Sequence, residues 1–177
     1  MKGPEAVTVT SLVGHREVLR FGLVILALLA FVLLGPHEPV RWGPLGWLDA
    51  ATAAATAGLA RLAGLDVTTS RYAITHAGGF ACEIYFRCTG LLPALFVAGA
   101  ILASPASFRS RWRGALLGAV VMLALNLLRL VGLVAVGVRF PAAFATAHSV
   151  VGETIFVAAV IAFWLAWARR AIGSATG

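Results

Sequence analysis

Charge is what this sequence has least of. Only 12% of its 177 residues are charged, against 60% hydrophobic, and its mean hydropathy is +0.94. A soluble domain carries about a quarter charged residues, so too few are present to clothe a water-facing surface. Cysteine is nearly absent as well: Cys82 and Cys88 are the only two, which excludes a disulfide framework. His15, His37 and His76 have no carboxylate or cysteine at ligand spacing, so no metal is expected. No Gly-x-Ser-x-Gly and no His-Glu-x-x-His occurs, which argues against serine and zinc hydrolases, and nothing implies a cofactor. The apolar run 21–34 lacks a small-x-small cleavage site before Gly35-Pro36, so it is expected to stay as an anchor. Internal repeats and low-complexity tracts are missing.

Long apolar runs are what the sequence does have. Four stretches read as transmembrane helices at about 20 residues each: 18–34, 90–103, 113–138 and 148–167. The net charge of +7 comes from Lys2, Arg16 and Arg20, from Arg109, Arg111 and Arg113, and from Arg169 and Arg170, all flanking apolar runs. That is the positive-inside pattern, not a nucleic-acid face. It puts those three groups on the cytoplasmic side and the segment 35–87 outside. Within that segment 44–65 reads as a weakly apolar helix, lying on the outer surface or packed between helices; if it crosses instead, the N-terminus lies outside. Residues 67–75 are β-branched and 80–87 alternate, with His76-Ala77-Gly78-Gly79 as a turn between them, so 66–88 reads as a β-hairpin. The fold expected is a mainly α, polytopic membrane bundle of about four spans plus one outer helix. It forms a single integral domain, 1–177, with the hairpin leading to Cys88 and a core over 88–168.

Few polar residues interrupt this pattern, and they are the candidates for chemistry. Cys88 precedes Thr89-Gly90 and the second apolar helix, with Thr89 as the expected N-cap. The positive end of a helix favours a thiolate nucleophile; the alternative is a structural thiol. A continuous strand would hold Cys82 about 20 Å from Cys88, too far for a disulfide. Asn126 and Arg129, spaced i, i+3, share one face of the third helix. An arginine in an apolar span marks a partner or a functional cavity by default, the alternative being a snorkelling side chain. His148 opens the last helix, either as a general base or as an interface residue. Glu153, about one turn deeper, suits the counter-ion of Arg129. Topology brings Cys88, Arg129 and His148 to the same outer end of three successive helices. A thiol, a base and a cationic holder are the parts of acyl transfer through a thioester.

Cys88-Thr89-Gly90, Asn126-Leu127-Leu128-Arg129 and His148, in this order on successive helices, resemble the exosortase/archaeosortase family of membrane-embedded cysteine transpeptidases. The resemblance runs from about residue 68 to residue 167. It implies Cys88 as nucleophile, with Arg129 and His148 as its catalytic partners. Asn126 belongs to the same Asn-x-x-Arg pattern, and Thr89 stands where many members have serine. It also implies substrate proteins with a C-terminal sorting signal (a motif, a transmembrane helix and a basic tail) and an envelope acceptor that resolves the thioester. The site would lie on the outer side of the cytoplasmic membrane. The competing reading is a non-enzymatic small membrane protein, a transporter subunit or assembly factor, in which an Arg129–Glu153 pair is structural.

Overall fold

The computed structural model describes residues 46–173 continuously and, before them, helical positions 19, 22–24, 26, 27 and 30; the side chains of 151–153, 172 and 173 fall outside the described set. Most of the expected first span and its basic flank, and the side chain of Glu153, therefore lie outside what is described. The elements in chain order are helix α1 (Gly46–Leu62), strands β1 (Val67–Ser70), β2 (Ala73–His76) and β3 (Ala81–Glu83), and a 3-10 turn at Phe86–Cys88. Helices α2 (Leu91–Ala103) and α3 (Phe108–Arg139) come next. A 3-10 turn Pro141–Ala143, a single α turn Phe144–Thr146 and a π turn Ala147–Val151 then lead into α4 (Gly152–Gly173).

Two stretches, Phe108–Arg139 and Pro141–Ala171, are long and apolar enough to cross a bilayer. Helix α2 is not: 13 residues rise about 20 Å, short of a hydrocarbon core of about 30 Å. It stops because Pro105 disfavours helix at Ser104, whose hydroxyl donates to the Ala100 carbonyl (2.7 Å). Of the four expected spans, two meet the length requirement among the described residues. Helix α3 also starts five residues earlier than its apolarity suggests. Ser107 caps it by accepting the Ser110 N–H (3.4 Å), so Arg109, Arg111 and Arg113 sit in its first turns and not in a connection. Arg111 reaches back to the Leu102 carbonyl at the end of α2 (3.4 Å), where positive charge suits the helix dipole.

Two buried clusters hold the bundle. In one, Val97 and Ile101 of α2 meet Ala115 and Met122 of α3, with Phe163 and Trp167 of α4 packed alongside. A side chain at Gly118 would overlap Val97 and Phe163; its absence lets three helices close at one level. In the other, Ala53, Ala57 and Ala60 of α1 lie under Ile74, Leu130 and Val134. Helix α1 is thus packed against α3 and the sheet. Small residues along its buried face permit that close approach. Ile74 is fully buried here, which is worth about 1.5–3 kcal/mol.

The expected hairpin is a three-stranded antiparallel meander, β1-β2-β3. Arg71, in the left-handed region at φ 53°, turns the chain and splits the run 67–75 into two strands that pair Ser70 with Ala73. The turn between His76 and Gly79 is where the glycines put it. Strand β3 ends at Glu83, although inward–outward alternation persists: Ile84 and Phe86 are buried, Glu83 and Arg87 exposed. Because the chain leaves the strand there, no extended run separates the cysteines. Cys82 and Cys88 are both half-buried free thiols packed on the same cluster.

Candidate functional site

Cys88 closes a 3-10 turn, its own N–H donating to the Tyr85 carbonyl (2.7 Å). Thr89 is buried behind it. The Thr89 hydroxyl donates to the Phe86 carbonyl (2.7 Å) and accepts the Leu91 N–H (3.4 Å). It therefore serves both the turn and the first turn of α2, but the N-cap itself is Gly90, not Thr89 as the sequence suggests. Gly90 is required twice over. Its φ of 79° lies in the left-handed region, which glycine enters without penalty. A Cβ on it would also lie 2.7 Å from the Cβ of Asn126.

That close approach lets Asn126, 2% exposed, donate from Nδ2 to the Cys88 carbonyl at 2.7 Å. One turn further along the same face of α3, about 4.5 Å on by helix rise, Arg129 donates from Nη2 to the His148 carbonyl (3.2 Å). Arg129 also keeps Nε buried with no hydrogen-bond partner among the described residues. Each residue thus fixes the backbone of another candidate: Asn126 that of Cys88, Arg129 that of His148. The Arg129–Glu153 pair falls on a side chain outside the described residues.

His148 does not open α4 but sits in the π turn before it, a distortion frequent at functional sites. Its ring stacks on Phe144 (centroids 6.0 Å apart, planes within 5°). Phe144 in turn meets Phe80 edge-on at 5.3 Å. Phe80, at the start of the strand that leads toward Cys88, presses into α3 where Gly137 leaves room; a Cβ there would overlap its ring. Cys88, Phe80, Phe144 and Ala147 all pack on the same buried cluster. Sequence reasoning noted Gly90 only as part of Cys88-Thr89-Gly90, not as the cap, and missed Phe80, Gly137 and Phe144. Only Gly90 left a local signal, in the Thr-Gly before an apolar run; the others act through contacts between distant segments.

Burial first, and the neighbouring Cys88 second, push the Cys82 thiol up to about 11. A raised pKa keeps Cys82 a neutral thiol through the neutral range, its thiolate forming only as pH approaches that value. Iodoacetamide at pH 8 should therefore leave Cys82 largely unmodified, with alkylation rising toward pH 11, as read by peptide mass mapping. The Asn126 tie gives a second expectation. Asn126→Leu removes the donor from the carbonyl of half-buried Cys88, a loss of about 0.5–1.5 kcal/mol. Thermal unfolding in detergent should show that loss, and Asn126→Asp, which donates no hydrogen bond when ionised, should not restore it.

The family model described as Transmembrane exosortase (Exosortase_EpsH) matches residues 6–170. No curated protein matches. No solved structure matches either. The family match covers nearly the whole chain, including the Cys88 turn, the face of α3 with Asn126 and Arg129, and the π turn of His148: this chain belongs to the transmembrane exosortase family.

Proposed function

We propose that this membrane protein is a cysteine transpeptidase-protease that cleaves a C-terminal sorting signal through a thioester on Cys88. The observation that carries the reading is the pair of ties on α3. Asn126 and Arg129, one turn apart, bond the backbones of Cys88 and His148, in a chain whose family is that of transmembrane exosortases. Helix α3 therefore acts as a common ruler for a thiol, an imidazole and a guanidinium.

In this mechanism His148 takes the proton from the Cys88 thiol as Sγ attacks the carbonyl carbon of the recognition motif. Negative charge moves onto the carbonyl oxygen, and Arg129 stabilises it. Its buried Nε supplies an N–H in a low-dielectric setting, where such a donor counts most. Collapse of the tetrahedral adduct breaks the C–N bond. The leaving amine, carrying the substrate's transmembrane helix and basic tail, takes its proton from His148. Water or an amine of an envelope acceptor then attacks the thioester, releasing Cys88. The site lies on the outer side of the cytoplasmic membrane, opposite the arginines of 109–113, and the bilayer presents the substrate helix to it.

Co-expression with a substrate carrying such a signal tests the reading. Cys88→Ala should abolish shortening of the substrate. Arg129→Ala should slow it about 10²–10³-fold, the usual cost of losing one oxyanion donor, and His148→Ala should slow it by at least about 10²-fold. Cys82→Ser should process normally. If Cys88→Ala and Arg129→Ala both still shorten the substrate at the wild-type rate, Cys88 is not the nucleophile and the reading fails.

A further inference from the structure

A second feature lies far from Cys88. A cavity of about 420 Å³ opens between the first turns of α3 and the end of α4, lined by Ser107, Arg109, Ser110, Arg113, Leu117 and Trp167. At about 1.5 Å per residue, Arg113 lies about 24 Å along α3 from Arg129, so this cavity is separate from the proposed active site. We propose that it binds the headgroup of an anionic phospholipid.

The chemistry of the walls selects the ligand. Arg109 and Arg113 stand i, i+4 on one helical face, exposed, with no hydrogen bond or ion pair among the described residues. Arg111, between them, is already spent on the Leu102 carbonyl. Two like charges at this spacing repel one another, and the N-terminus of a 32-residue helix adds further positive potential. An anion bound between them relieves both. The first turn of α3 holds no acidic residue to supply one. Guanidinium groups and serine hydroxyls are the donor set of phosphate recognition.

The level in the membrane selects a lipid over a soluble phosphate. Phe108 and Trp112, 69% and 54% exposed, meet edge-on at 6.1 Å beside the cavity, and Trp167 lies against Gly114. Aromatic rings at the ends of apolar helices mark the headgroup region. One turn deeper, Leu117 continues the cavity wall, with Leu116 and Val120 exposed around it. A phosphate held by the arginines would thus leave its acyl chains lying along apolar surface. Basic pockets at this depth are a known form of headgroup site. A cationic peptide tail is repelled by the same rim.

Native mass spectrometry of the full chain, extracted with equal amounts of phosphatidylglycerol and phosphatidylcholine, tests the proposal. Wild type should retain phosphatidylglycerol preferentially. Arg109→Gln/Arg113→Gln should lower that retention about 25-fold, a factor of about five for each arginine. A charge-matched control at the other end, Arg71→Gln/Arg139→Gln, should retain it as wild type does, and millimolar inorganic phosphate should not displace it. Equal retention by Arg109→Gln/Arg113→Gln, or equal binding of phosphatidylcholine, would overturn the proposal. Displacement by inorganic phosphate would overturn the lipid source and leave a soluble-anion site. The readout is lipid binding alone, so it is independent of whether Cys88 is a nucleophile.

Discussion

The organisation of this protein rests on one face of one helix. Asn126 and Arg129 are polar groups in a segment that is otherwise apolar from Gly114 to Val138, and neither is tolerable there without a partner. Both find backbone carbonyls. The carbonyls belong to Cys88 and His148, which lie in two separate connecting segments. Satisfying the helix's polar groups and bringing the candidate residues together are therefore the same event. The carbonyls gain in return: both belong to half-buried residues, and a hydrogen bond of this kind contributes about 0.5–1.5 kcal/mol.

Glycines make the ties possible. Gly90 gives Asn126 access to the turn of Cys88, and Gly137 admits Phe80, whose ring carries the sheet to Phe144 and so to the imidazole of His148. Gly118 does the same for the helices, closing α2 and α4 on α3 below the site. Where the chain needs precision it removes a side chain from α3 or its neighbour, and lets a larger group from elsewhere fill the space. Packing at native density makes such positions intolerant of even one methyl.

Much of this was legible in the sequence, for definite reasons. The apolar runs gave α3 and α4, because hydrophobicity over about 20 residues is a strong signal. Asn126 and Arg129 stood out because polar groups are conspicuous against Leu and Val. Boundaries were harder. Arg109, Arg111 and Arg113 look like a loop by composition, yet a Ser107 cap draws them into the helix. The run 67–75 has uniform β propensity, and nothing in it announces that Arg71 turns the chain. The stretch 80–87 keeps its alternation while its backbone abandons the strand at Glu83, so pattern alone overstated the distance between the two cysteines. The aromatic path from Phe80 to His148 spans residues far apart in sequence, which no local pattern encodes.

The two ends of α3 have opposite characters: exposed Arg109 and Arg113 with exposed aromatic rings at its start, a buried amide and a half-buried arginine near its finish. On the proposed reading, the lipid would be held at one end of α3 and the thiol would act near the other. The most direct test of the account is the covalent intermediate itself. The protein and a substrate bearing a C-terminal sorting signal would be quenched in acid and mapped by mass spectrometry. The account predicts the substrate's upstream fragment joined to Cys88 by a bond that hydroxylamine cleaves. Release of the substrate's tail with no adduct on Cys88, or an adduct on another residue, would contradict it.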